Sequence, residues 1–76
     1  MTDIELEIDA IGLLCPLPVL KLRKRLQKLA VGAKVRLLTD DPASIVDVPH
    51  FCQEQGHALM SSGESDGSFF FIVKKA

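Results

Sequence analysis

Ile4, Leu6 and Ile8 alternate with Glu5, Glu7 and Asp9. That period of two predicts a strand with one face in the core and one in water. A loop from Ala10 to Leu14 carries Gly12, and a helix is predicted from near Pro16 to about Ala30, stopped by Gly32. At 100° per residue, Val19, Leu22, Leu26 and Leu29 share one face of that helix. Lys21, Lys24, Arg25 and Lys28 share the opposite face, with Leu17 at its N-terminal end. Ala33 to Thr39 reads as a second strand, with Val35 and Leu37 on one side and Lys34 and Arg36 on the other.

Asp41-Pro42 has the form of an N-cap followed by proline at the first helical position. A second helical region runs on to Gln55 and closes at Gly56; Pro49 inside it predicts a kink or a restarted helix. His57 to Ser62 is a third predicted strand. Gly63 to Gly67 is turn-rich, and its Asp66-Gly67 pair favours a hairpin. Ser68 to Lys74, dense in Phe69, Phe70, Phe71, Ile72 and Val73, is the fourth strand. The order is βαβαββ. It predicts an α/β two-layer sandwich of the α+β type, a four-stranded mixed sheet with both helices on one face. The other face, partly open to water, accounts for Glu5, Glu7, Lys34 and Arg36.

Seventy-six residues, 47% of them hydrophobic and 25% charged, suit one folded domain spanning residues 1–76. There is no room for a large enclosed substrate cavity or a separate cofactor domain. A carrier, binding module or accessory subunit fits better. The net charge is −1, yet the charges are segregated. Residues 10 to 39 hold Lys21, Arg23, Lys24, Arg25, Lys28, Lys34 and Arg36 and no acid, whereas the remainder holds all ten acids with Lys74 and Lys75. Such a separation can steer a charged partner. The two cysteines, Cys15 and Cys52, make no disulfide framework and no paired zinc knuckle. The acidic start, Met1 to Glu5, is unlike a secretory signal, and the longest uncharged run, Ala10 to Leu20, is too short to span a bilayer. A cytoplasmic location with reduced thiols is expected.

The sharpest local feature is Gly12-Leu13-Leu14-Cys15-Pro16-Leu17-Pro18-Val19. With Pro16 at the first helical position, Cys15 is the predicted N-cap. Pro18 lacks an amide hydrogen, which leaves the Leu17 N–H as the main local donor to the Cys15 sulfur. The helix dipole and the downstream bases add positive potential, so the thiol pKa is expected to be lowered. Pro18 also occupies the place of the second cysteine in a two-cysteine redox motif. Gly12 supplies freedom in the loop before the nucleophile. Asp9 reads as a strand end or loop brace. Cys52, beside Phe51, reads as a packed thiol.

These residues carry a resemblance. Asp9-Ala10-x-Gly12-Leu13-x-Cys15-Pro16-x-Pro18-Val19 with Arg23-Lys24, Asp40-Asp41-Pro42-Ala43, Asp47-Val48-Pro49-x-Phe51-Cys52 and Gly56-His57-x-Leu59 resemble the TusA (SirA-like) family of small sulfur carrier proteins. The resemblance covers nearly the whole chain. It implies a two-layer α/β sandwich in which Cys15 accepts a sulfane sulfur, holds it as a persulfide and passes it to an acceptor cysteine. The implied donor is a cysteine desulfurase or another persulfide protein, and the implied acceptor is a sulfurtransferase serving tRNA thiolation, cofactor biosynthesis or sulfur oxidation. Such a protein is a co-substrate of other enzymes and needs no metal or organic cofactor. Pro16, Leu17 and Pro18 would shape the site, and Lys21, Lys24, Arg25 and Lys28 would dock acidic surfaces of partners. Leu14 and Leu17 are apolar where family members often carry polar or charged residues, which bears on the choice of partner.

Four other readings compete. The basic stripe could meet phosphate, but the chain has no Trp or Tyr and no known nucleic-acid motif. A redox sensor would share the activated thiol, yet no resolving cysteine lies nearby in the sequence. Cys15, His50, Cys52 and His57 lack zinc-site spacing, and of Asp40, Asp41 and Asp47, which could suggest carboxylate chemistry, Asp41 reads better as an N-cap beside Pro42 and Asp47 as a cap before Pro49.

Overall fold

Four extended segments build a sheet, and amphipathic periodicity in two others builds the helices that cover it. The computed structural model describes residues 4–76; the residues of the acidic start before Ile4 lie outside them. The elements are β1 (Ile4–Ala10), α1 (Leu17–Leu26), β2 (Lys34–Thr39), α2 (Ser44–Gln55), β3 (Ala58–Ser65) and β4 (Ser68–Lys74). The order across the sheet is β1-β2-β4-β3. β1 and β2 are parallel, with Ile8 opposite Leu37 and Ala10 opposite Thr39. β4 runs antiparallel to both β2 and β3. The chain therefore leaves a slot between β2 and β3, and the closing hairpin fills it with β4.

The period of two decides which side chains are inside. Ile8, Ala10, Val35, Leu37, Phe69, Phe71 and Val73 are buried on one sheet face against Leu22 and Leu26 of α1 and Val48, Phe51 and Cys52 of α2. On the opposite face Arg36 lies 3.9 Å from the Glu7 carboxylate and its guanidinium sits 5.1 Å from the Phe70 ring centre. That cation–π contact covers part of the phenylalanine-rich β4 on the open face of the sheet.

The predicted architecture is observed, with four local corrections. Helix α1 ends at Leu26, not near Ala30; the chain then tightens, with Lys28 and Leu29 donating to the carbonyls three residues back. Helix α2 is continuous through Pro49. The missing amide would have served the carbonyl of Ile45, one of two adjacent exposed residues with Val46, so water can take its place. The N-cap position of α2 is Ala43 rather than Asp41. Finally, β3 reaches Ser65, taking Gly63 into the strand opposite Phe70, and the hairpin turns on Asp66 and Gly67. Both turn residues have positive φ, 50° and 81°, as the mirror-image two-residue hairpin turn demands.

The facing of β2 is open to test. Leu37 is fully buried, whereas Leu38 points to the other face and is half-buried. Leu37→Ala should lower the unfolding free energy by about 2–5 kcal/mol, and Leu38→Ala by under about 2 kcal/mol. Urea denaturation midpoints measure both; equal losses would contradict the packing described.

Candidate functional site

Because β1 and β2 are parallel neighbours, their C-terminal ends lie side by side. The loop after β1 carries Gly12 and Cys15, and the loop after β2 carries Asp40 and Asp41. Clefts beyond the carboxyl ends of parallel strands are where open α/β sheets place their chemistry. Two loop carboxylates, with a third from the first turn of α2, fasten the loop after β1 in place. Asp40 Oδ1 accepts the Gly12 N–H at 2.9 Å, Asp41 Oδ2 accepts the Cys15 N–H at 2.7 Å, and Asp47 Oδ2 accepts the Cys15 Sγ–H at 2.6 Å. Gly12 has φ 85°, a left-handed conformation that costs glycine little, so the freedom expected at this position is used. Asp9 braces the start of the loop by accepting the Ile11 N–H at 3.0 Å.

Asp41 serves both loops. Its second oxygen accepts the Ala43 N–H at 3.1 Å, and its backbone carbonyl accepts from the Ser44 amide and hydroxyl. It thus closes the approach to α2 although it is not the cap. The two amide donors, Cys15 first and Ala43 second, hold the Asp41 carboxyl below its usual range.

The surroundings of Cys15 differ from the sequence expectation. The N-cap position of α1 is Pro16, and no side chain caps that end. Residues Leu14 to Leu17 form a tight turn containing a cis Cys15–Pro16 bond, and the Leu17 N–H donates to the Leu14 carbonyl at 2.8 Å. The amide expected to hold the sulfur is therefore spent on the turn. The thiol meets a carboxylate instead. Its hydrogen bond to Asp47 pushes the Cys15 pKa up, desolvation adds to this, and the negative charges of Asp47 and Asp41 act in the same direction. The expected lowering is thus reversed: an exposed thiol is kept protonated.

Cys15, Pro16, Val19, Asp47, His50, Phe51 and Glu54 line an open groove of about 210 Å³. His50 Nε2 lies 3.0 Å from Glu54 Oε1 within it. Leu14 and Leu17, on either side of Cys15-Pro16, are exposed, as are Ile11 and Leu20, so the chain positions flanking the thiol present apolar side chains to solvent. Pro18 is buried under the start of α1. Of the basic stripe, Lys21 is half-buried and donates to the Asp9 carbonyl, while Lys24 and Arg25 near the end of α1 and Lys28 just beyond it are exposed. None of these four bases lines the groove. Cys52 is buried, and desolvation raises its pKa. Among the described residues no three metal-ligating side chains converge, and no helix is long and apolar enough to cross a membrane.

Asp40, Asp41 and Asp47 are the site residues that reading the sequence as local caps does not find. The signal that finds them is topological. A strand–helix–strand unit with adjacent parallel strands brings the residues just after the second strand beside the loop that follows the first.

Residues 6–75 match the family described as Sulfurtransferase TusA. Over its full 76 residues the chain is 40% identical to the Sulfur carrier protein TusA of Allochromatium vinosum, and the match covers all of both chains. The crystal structure of a SirA-like protein from Desulfitobacterium hafniense superposes with a TM-score of 0.76 at 26% identity, covering 91% of this chain and 95% of the other. On these matches and this fold, the chain belongs to the TusA family.

Proposed function

We propose that this protein is a single-domain sulfur carrier, residues 1–76, that holds a sulfane sulfur as a persulfide on Cys15 and relays it between proteins. The observation that carries this reading is one exposed thiol at the carboxyl ends of two parallel strands, with the other thiol buried in the core. An exposed cysteine with no accessible second thiol in the chain has no internal disulfide to form. Sulfur placed on it must leave to another molecule.

The chemistry is redox-neutral exchange. The Cys15 sulfur attacks the terminal sulfur of a donor persulfide, a new S–S bond forms, the donor's S–S bond breaks, and the donor leaves as a thiol. Unloading repeats the step with an acceptor thiolate attacking the terminal sulfur on Cys15. No group on the chain is oxidised or reduced overall, so the exchange calls for no metal or organic cofactor. The partners are a cysteine desulfurase or another persulfide donor and an acceptor sulfurtransferase, met in a reducing cytoplasm. Pro16 and Leu17 shape the turn that presents the thiol. Exposed Leu14 and Leu17, flanking Cys15-Pro16 in the chain, offer a dry contact beside the exchanging sulfurs, and Lys24 and Arg25 of α1 with Lys28 just beyond it steer acidic surfaces. Lys21, tied to the Asp9 carbonyl, contributes more to bracing α1 on β1 than to steering.

Intact mass of the reduced protein after incubation with a cysteine desulfurase, pyridoxal phosphate and cysteine should show a one-sulfur gain that a reductant reverses. Cys15→Ser should abolish the gain and Cys52→Ser should keep it. A gain that maps to Cys52, or none from either a desulfurase or a rhodanese persulfide, would refute the reading. Reversing Lys24, Arg25 and Lys28 to Glu should slow transfer roughly tenfold at low ionic strength, with the difference shrinking as salt screens the charges. Equal rates in stopped transfer assays would remove the stripe from docking. A nucleic-acid-binding role would instead give a complex that survives Cys15→Ser and weakens steeply with salt.

A further inference from the structure

The carrier reading leaves a chemical difficulty, and its solution deepens that reading. A thiolate, not a thiol, attacks a persulfide. In the free protein the Cys15 sulfur has a carboxylate 2.6 Å away, and the Leu17 amide, its expected local donor, is committed to the Leu14 carbonyl. The titratable groups around the thiol are Asp41 from the α2 approach and Asp47, His50 and Glu54 from α2. His50 is paired with Glu54, and from the α1 side Lys21 is turned to the Asp9 carbonyl. Among the described residues, then, no free cation of this chain is placed to neutralise Asp47. The position of Asp47 reinforces the contact: it lies in the first turn of α2, where the positive end of the helix dipole favours a negative charge. The raised pKa of the thiol agrees with this geometry.

We propose that Asp47 is a specificity-determining latch: it holds Cys15 as a thiol in the free carrier, and a basic side chain of the sulfur-donor protein, entering the adjoining groove, pairs with Asp47 and releases the thiolate. The groove fits that occupant. It is open, it is lined by the Asp47 and Glu54 carboxylates with the apolar walls of Val19 and Phe51, and its size suits a lysine or arginine side chain rather than a folded segment. The proton leaves the Cys15 sulfur for water as the cation arrives. The thiolate then takes the terminal sulfur, and the departing donor thiolate gains a proton from water, so atoms and charge balance. Net-anionic small persulfides and neutral electrophiles bring no net positive charge to Asp47 and meet a protonated thiol. The latch thereby separates protein donors from small molecules at a sulfur that is exposed to both.

The test compares wild type with Asp47→Asn and Asp47→Ser, each first shown to keep the wild-type urea midpoint. Three rates are measured at neutral pH: alkylation of Cys15 by iodoacetamide, loading from glutathione persulfide and loading from a cysteine desulfurase. With the latch removed, alkylation and glutathione persulfide loading should accelerate, and the pH profile of alkylation should move to lower pH. Loading from the desulfurase should slow by about tenfold, because the donor's cation has lost its counter-charge. Alkylation unchanged in both variants overturns the latch, and desulfurase loading that accelerates in step with the small donor overturns the cationic release. Wild-type protein that loads from neither donor would instead overturn the carrier reading, and the alkylation profiles would still decide whether Asp47 holds the thiol.

Discussion

The parallel pairing of β1 with β2 is the constraint from which the site follows. Ala10 opposite Thr39 ends both strands at one level, so the chain leaves both at the same edge of the sheet. Two loops that are about thirty residues apart in sequence become neighbours. Carboxylates on one then meet backbone amides on the other, at Gly12 and at Cys15. Burial of Ile8, Val35 and Leu37 beneath the helices fixes this register, since a slip of one residue would turn each of them to the solvent face. The hydrophobic core and the position of the sulfur are therefore set by one set of contacts.

The electrostatics of the site follow from the same arrangement. A cysteine at a helix entrance is ordinarily favoured as thiolate by amides and the helix dipole. Here the Leu14–Leu17 turn takes the nearest amide, and α2 brings a carboxylate to the sulfur. None of the bases that dominate the segment in sequence lines the groove: Lys21 is turned to the Asp9 carbonyl, and Lys34 and Arg36 belong to β2. Cys15 thus stands beside an acidic wall and between exposed leucines in the chain, a setting that exposes a nucleophile while keeping it protonated.

Much of this was legible in the sequence. Alternation of Ile4, Leu6 and Ile8 against acids, the leucine spacing of α1 and the Asp66-Gly67 turn carry the element order and the inward face of each element. The Gly12-to-Val19 motif locates the thiol and its prolines. What could not be read locally was the partner of the sulfur. Asp47 lies 32 residues from Cys15 and looks like a cap before Pro49 until the two strands are set side by side. The end of α1 and the continuity of α2 were also hidden: the chain after Leu26 tightens to bonds three residues back, and α2 passes Pro49 because the exposed Ile45 carbonyl can turn to water.

The most direct test of this account is the ionisation of the thiol itself, followed by thiolate ultraviolet absorbance across pH in the Cys52→Ala protein, where Cys15 titrates alone. The account predicts a midpoint above that of cysteine in an unstructured peptide, set by the Asp47 carboxylate. A midpoint below that value would contradict it, and would return the sulfur to the control of the helix amides.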